Sequence, residues 1–342
     1  MSYSNAYIIY PINRALEKSV AGAIGLLPES MAGSVARDGS VTIADIFFHA
    51  RGNYEQKTFN ANILEPLSEA IEATITDELK ADDALSWADK QNRLGNVCAA
   101  LGQKMFSVEH YEKALACFDQ ALTVYSQEET PAEWALTQYN IGTAKQALGR
   151  QESLGKVLNE AVDAYINALL VWNKQDNLEE WMLTMHQLGV TYHQHGLALK
   201  GNRTFQKAVV AHKNALSVLN ADDYALELTA THNNRAAVLQ HLAESENNPD
   251  RVEEALRAYE KGLAVCMEQQ LPFHLAVMIR INKATAQLVL AGMSKNAALA
   301  EEVADEYELI LECFPHALQP LSKKHCQAQE EKARKLAEEL AA

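Results

Sequence analysis

Uncharged polar side chains recur along this chain at a spacing of 47 residues. They occupy nine of the twelve positions in three columns, which are Asn92, Tyr139, His186 and Asn233; Asn96, Thr143, Val190 and Ala237; and Ala99, Gln146, His193 and Gln240. An amide donates and accepts hydrogen bonds at once, which suits it to pairing with the backbone of an extended peptide. Positions three or four apart share one helical face, so on helices the polar members would line one binding surface. The other interpretation is that they are solvated polar residues without a ligand.

Histidines are concentrated in the same part of the sequence. They are His186, His193, His195, His232 and His241. Imidazole groups bind transition metals and titrate near neutral pH, but these histidines have no spacing that is diagnostic of a metal site. His195 and His232 fall on the predicted buried side of their helices, which favours core positions. We therefore predict neither a metal nor a cofactor.

Sequence motifs typical of catalysis are absent from the chain. It contains no HExxH, no GxSxG, no Walker-type glycine loop and no GxGxxG. Its acidic residues mostly lie at predicted helix starts and on exposed faces, where capping and solvation account for them. The sequence therefore favours a protein that is not an enzyme.

The 47-residue period extends well beyond the polar columns. It is shared by Trp87, Trp134 and Trp181, by the small residues Gly95, Gly142, Gly189 and Ala236, and by the alanines Ala114, Ala161, Ala208 and Ala255. A fifth copy follows after a slip of one residue, with Ala284 and Tyr307 in the matching positions. A fixed period of roughly 20 to 50 residues is typical of solenoids, in which each unit buries its apolar face against its neighbours.

Each repeat has the apolar pattern of two amphipathic helices. In one copy the first stripe contains Trp134, Ile141 and Leu148, and the second helix carries Ala161 and Tyr165. We expect Trp134 and Trp181 to be buried between neighbouring units, and the small residues of the Gly95 column to admit the partner helix closely. The predicted helices cover 84–102, 107–127, 131–149, 153–174, 177–199, 204–220, 223–244, 250–269, 272–292 and 294–313.

The repeated residues resemble the signature of tetratricopeptide repeats. Leu94 and Gly95 of the first helix are followed by Ala114, Phe118 and Ala121 of the second. The next copy repeats the pattern with Ile141 and Gly142, then Ala161, Tyr165 and Ala168. The unit of 47 residues is longer than the usual repeat and is similar to a bacterial subclass of long repeats. The adjacent Asn233 and Asn234 are similar to the paired asparagines of kinesin-light-chain-type repeats.

This resemblance implies an all-α fold, a right-handed α-solenoid of about five helix pairs whose first helices line a concave peptide-binding groove. It covers residues 84–313, with units at 84–130, 131–177, 178–222, 223–271 and 272–313. The polar columns would lie in that groove. They lack the lysines with which chaperone-tail clamps of this family bind a terminal carboxylate, which disfavours that class of partner.

The two ends of the chain differ from the repeats. Residues 1–83 are predicted to form a helical cap with one degenerate repeat, and apolar helical patterns cover 6–27 and 41–50. Terminal repeats of a solenoid are expected to be atypical. The alternative is that these residues form a small effector module. Residues 314–342 are predicted to end in a charged helix that begins near Leu321.

The composition narrows the environment and the partners of the protein. A formal net charge of −15 disfavours nucleic-acid binding, which needs clustered Lys and Arg. No apolar run is long enough to span a bilayer, and the first residues lack the basic region of a signal peptide. The five cysteines have no CxxC pair, and Cys98, Cys117 and Cys266 fall on predicted core positions, as expected in a reducing compartment. We therefore expect a cytoplasmic protein.

Three hypotheses of function follow from the sequence. The first is a scaffold that binds a protein or peptide segment in its groove. The second is a structural module that forms homo-oligomers through an end of the solenoid or through the charged C-terminal helix. The third is a regulator that responds to a peptide or small molecule and acts through its N-terminal helices. The sequence does not name the partner.

Overall fold

All the regular secondary structure that the computed structural model describes is α-helical. The description covers residues 4–9, 61–199, 201–314 and 320–342. The helices are α1 (Ala61–Glu72), α2 (Asp77–Asp82), α3 (Ala84–Met105), α4 (Val108–Ala121), α5 (Pro131–Gln151), α6 (Gly155–Ala168), α7 (Leu178–Leu199), α8 (Asn202–Leu216), α9 (Ala221–Glu246), α10 (Pro249–Glu268), α11 (Phe273–Ser294), α12 (Ala297–Cys313) and α13 (Pro320–Ala341). The predicted all-α class is confirmed. The handedness and the number of repeats stay predictions.

The chain forms two compact units. The first unit is Ile12–Gln187, and the second is Leu188–Ala342 together with Met1–Pro11. The boundary falls within α7. Helices next to each other in sequence pack together, as in the pairs α3 with α4, α5 with α6, α9 with α10 and α12 with α13.

The helical pattern predicted over 6–27 is wrong at its start, because residues 6–9 form no helix. The rest of that pattern, and the one over 41–50, lie outside the described residues. The expected helix at the end of the chain is confirmed as α13. Its Cys326 and Ala333 are buried in an apolar cluster that also contains Val303 and Ile310 of α12.

The connections inside four of the helix pairs share one backbone geometry that repeats with the sequence. Phe106, Ser153, Asn247 and Lys295 all have positive φ, between 49° and 55°, directly before the second helix of their pair. The amide after each of them donates to a carbonyl five residues earlier, as in Ser107 N to Gly102 O at 3.0 Å. This is the Schellman arrangement, which satisfies the last carbonyls of a helix and reverses the chain.

Close packing within each pair explains the small residues of the Gly95 column. A Cβ added at Gly95 would lie 2.5 Å from the ring of Phe118, and one added at Gly189 would lie 2.5 Å from the ring of His212. The expected close approach is confirmed. The ring positions Phe118, Tyr165, His212, Tyr259 and Tyr307 follow the same repeat.

The tryptophans depart from their predicted burial. Trp87 is buried, but Trp134 and Trp181 are only half-buried, so the prediction that both lie in the core is wrong. Cys98, Cys117 and Cys266 are buried, as predicted. In the described part of the chain, none of the helices is long and apolar enough to cross a membrane.

Candidate functional site

In the first unit the polar columns are buried rather than solvated. Asn92, Asn96, Tyr139, Gln146 and His186 are all buried. Thr143 is half-buried, and its hydroxyl lies 3.2 Å from that of Tyr165. The expectation of an open polar surface is therefore wrong for these residues.

Some of these amides form hydrogen bonds between the first helices of successive pairs. The amide of Asn140 on α5 donates to Oδ1 of Asn92 on α3 at 2.9 Å. Gln146 donates from Nε2 to the backbone oxygen and to Oε1 of Gln187 on α7, at 3.2 Å each. These bonds join buried amides of neighbouring helices, which is the usual way in which a buried polar group is accommodated.

In the second unit the predicted residues contact another part of the chain. His193, Asn233 and Gln240 are fully buried, and segment 4–9 lies against Asn233 and Gln240. Nδ2 of Asn233 donates to the backbone oxygen of Tyr7 at 2.9 Å. Amide side chains therefore contact a peptide backbone here, and the peptide is part of the same protein.

Two further asparagines form most of the contacts with the backbone of segment 4–9. Asn234 accepts from the N–H of Ile9 at 2.8 Å and donates to the oxygen of Ile9 at 2.6 Å. Asn282 accepts from the N–H of Tyr7 at 2.7 Å and donates to the oxygen of Tyr7 at 2.8 Å. Each amide thus satisfies both backbone groups of one residue. Tyr7 and Ile9 are two positions apart, the interval at which an extended chain presents its backbone groups to the same side.

The sequence-based site omitted Asn234 and Asn282. Both belong to a fourth amide column, which contains Asn140, Gln187, Asn234 and, after the one-residue slip, Asn282. That column was visible in the sequence. Asn233 orients the pair, since it accepts from Nδ2 of Asn282 at 2.8 Å and donates to Oδ1 of Asn234 at 3.1 Å.

Ser4 is held at the other end of the segment by polar side chains of α9. Its N–H donates to Oε2 of Glu244 at 2.9 Å, and its hydroxyl donates to the other carboxylate oxygen. Nε2 of Gln240 donates to the same hydroxyl, and Nε2 of His241 lies 2.7 Å from the backbone oxygen of Ser4. We call Asn233, Asn234, Gln240, His241, Glu244 and Asn282 together the amide groove.

The hydrogen bonds fix the tautomers of two buried histidines. A carbonyl oxygen only accepts, so Nε2 of His241 carries the proton that it shares with Ser4. In the neutral ring Nδ1 is then an acceptor, and it receives the proton of Nε2 of His193 at 2.8 Å. Burial lowers the pKa of both rings, and the neighbouring His241 lowers that of His193 further. The pair is therefore neutral near pH 7.

Side chains of the segment also bury apolar surface. Ile9 is only 2% exposed. Tyr7 packs against an apolar cluster that includes Ile281, Leu288 and Tyr307, and its ring meets that of His325 edge to face with centroids 5.8 Å apart. Asn5, by contrast, is exposed. Side chains of the unit therefore contact Ser4, Tyr7 and Ile9 of the segment, whereas Asn5 is in solvent.

The remaining histidine predictions have mixed outcomes. His195 and His232 are half-buried rather than core residues, while His186, His193 and His241 are the deeply buried ones. Within the described ranges, the structure contains no group of three or more His, Cys, Asp or Glu side chains that could hold a metal ion.

Comparison with known proteins adds no family to this geometry. No protein-family model matches the chain, and no curated protein matches it. The resemblance to tetratricopeptide repeats stays a prediction.

Proposed function

We propose that the protein is a non-enzymatic helical-repeat scaffold that binds an extended protein segment in its amide groove. The observation that carries this proposal is the pairing of Asn234 and Asn282 with both backbone groups of Ile9 and Tyr7. The resemblance to tetratricopeptide repeats, whose first helices line a groove, agrees with it. In the first unit, Asn140 and Gln146 instead donate to side-chain and backbone groups of neighbouring helices.

Backbone pairing makes such a site suitable for a partner that is not part of this chain. A buried amide that loses its partner costs more free energy than a made hydrogen bond gains, so the groove favours any segment whose backbone replaces these bonds. Side chains at a few positions then select among segments. This is the logic of recognition by strand addition, applied here to a column of side-chain amides.

A binding measurement with a defined peptide tests the proposal. The probe is a fluorescent peptide with the sequence of residues 2–11, SYSNAYIIYP. The receptor is the full chain carrying Ile9→Asp, which places a charge in a buried apolar position and frees the groove. We expect saturable binding by fluorescence anisotropy, with affinity reduced at least about tenfold by Asn234→Ala or Asn282→Ala, since each removes two hydrogen bonds worth about 1 kcal/mol each.

Asn140→Ala is the matched control for those variants. Asn140 is a buried amide of the same column, but it pairs with Asn92 and not with segment 4–9. Its loss costs stability in the same way and leaves peptide affinity unchanged if the groove is the site. Equal effects of Asn140→Ala and Asn234→Ala on peptide affinity would contradict the proposal.

The self-assembly hypothesis has less support from the described structure. It relied in part on the charged C-terminal helix, but Cys326, Ala333 and Leu336 of α13 pack in one cluster with residues of α11 and α12. The apolar side of that helix is thus used within its own unit. Self-assembly by exchange of segment 4–9 between copies is tested below.

A further inference from the structure

We propose that the amide groove selects a segment with a hydroxyl residue, an aromatic residue three positions later and a branched aliphatic residue two positions after that. Segment 4–9 is the copy of this pattern that the protein carries itself, and a partner must displace it. This inference rests on the proposed function and adds to it the ligand class and the competition.

Segment 4–9 has the properties of a ligand rather than of a repeat. Its contacts with α9 and α11 join residues more than 220 positions apart in sequence. Four of its hydrogen bonds join the backbone of Tyr7 and Ile9 to Asn234 and Asn282, and these bonds do not depend on the segment's side chains. Another chain with an extended backbone would form the same four.

The hydroxyl position is defined by charge as well as by hydrogen bonding. Both the N–H and the hydroxyl of Ser4 donate to the carboxylate of Glu244, and Gln240 donates to the hydroxyl oxygen. A serine or threonine satisfies all these groups. An acidic residue places a second negative charge against Glu244, which like-charge repulsion disfavours.

Apolar surroundings select the aromatic and the aliphatic residue of the pattern. Tyr7 lies on the apolar cluster of α11, α12 and α13 with His325 at its edge, where a flat ring fits and a charged side chain would be desolvated. Ile9 is almost fully buried. The exposed Asn5 sets no requirement. A partner therefore matches the pattern at three positions, and any residue can stand at the position that corresponds to Asn5.

Occupancy by the chain's own segment weakens binding of the partner by a calculable factor. The apparent dissociation constant equals the intrinsic one divided by the fraction of molecules whose groove is open. A segment that is bound in nine molecules out of ten thus raises it about tenfold. Releasing the segment reverses this without any change in the groove.

The test compares the intact chain with variants that release the segment. The same fluorescent peptide of residues 2–11 is titrated onto the wild-type chain, onto Ile9→Asp and onto Tyr7→Pro, which removes the N–H that Asn282 accepts. We expect both variants to bind the peptide at least about tenfold more tightly than wild type. Circular dichroism checks that each variant keeps its helices, and the two variants act by different means.

The selectivity is tested by a charge pair. A peptide of residues 2–11 that has Asp in place of Ser4 should bind the Ile9→Asp chain at least about tenfold more weakly than the parent peptide. Adding Glu244→Gln to that chain should restore most of the loss, because the repulsion is removed. An Asp peptide that binds as well as its parent contradicts the proposed role of Glu244.

The outcomes separate this inference from the proposed function. If wild type binds the peptide as tightly as both released variants, and Asn234→Ala still weakens binding, the groove binds segments but is not closed by segment 4–9. If Ile9→Asp and Tyr7→Pro keep their helices and neither binds the peptide, the proposed function itself fails. If wild type shows a mass that rises with concentration in light scattering and Ile9→Asp abolishes the rise, the segment binds a second copy, and closure within one chain is wrong.

Discussion

At the scale of single residues, Gly142 lies where α5 and α6 approach each other closely. A Cβ at Gly142 would lie 2.8 Å from two ring carbons of Tyr165, whereas one at Gly292 would meet nothing closer than Cδ2 of Leu336 at 3.9 Å. We expect Gly142→Ala to lower the free energy of unfolding by about 1–3 kcal/mol through overpacking. Gly292→Ala, which has room, should raise it by up to about 1 kcal/mol because alanine is the better helix former. Urea unfolding measures both, and a shift of the same sign in both would contradict this packing.

The sequence predicted some of the residues that contact segment 4–9 and missed those with the most contacts. The 47-residue period predicted Asn233 and Gln240 in the groove, and both contact segment 4–9. It also placed Asn92 and Gln146 there, but these amides pair with other helices. Periodicity gives the face of a helix and not what covers that face. The covering segment lies more than 220 residues away and follows no repeat, so no local pattern reveals it.

At the scale of elements, the repeated turn imposes its geometry on unsuitable residues. Phe106 has a φ of 53° and is 76% exposed, so it bears the left-handed conformation without burying its ring. Phe106→Asn should raise the free energy of unfolding by about 1 kcal/mol, because asparagine tolerates this conformation better. The reverse change at the matching position, Asn247→Ala, should lower it by a similar amount. Thermal melts test the pair, and a loss of stability in Phe106→Asn would show that its ring makes contacts worth more than the strain.

Helix boundaries were predictable where the apolar period agreed with hydrogen bonding. The first helices of the pairs begin within a few residues of the predicted positions. The second helices α4 and α6 end at Ala121 and Ala168 rather than near 127 and 174. The chain beyond Ala121 continues in turns, with Val124 N and Tyr125 N both donating to the oxygen of Ala121. Tyr125 stays buried there, so the apolar period continues after the helix has ended.

At the scale of the whole molecule, buried histidines couple stability to pH. Burial lowers the pKa of His186 to about 3. Partial burial lowers the pKa of the half-buried His232 to about 4, with a further contribution from Lys261 and Arg235. The buried pair of His193 and His241 is shifted in the same direction. These side chains are therefore neutral in the folded chain at neutral pH, and the unfolded chain binds more protons as the solution becomes mildly acidic.

The sign of the pH effect follows from this difference in protons. Above about pH 6.5, the unfolded value, the contribution of these histidines to stability is fully present, and it is lost as the pH falls toward the depressed folded values. Each histidine that stays neutral in the folded chain should lower the free energy of unfolding by about 2 kcal/mol between about pH 7 and about pH 5. Urea unfolding at those two pH values measures the sum. His186→Gln keeps a polar side chain that does not titrate, so it should reduce the pH dependence by one histidine's share, whatever its effect at pH 7. An unchanged pH dependence in this variant, or a chain that gains stability in acid, would mean that the imidazole of His186 is not kept neutral by burial.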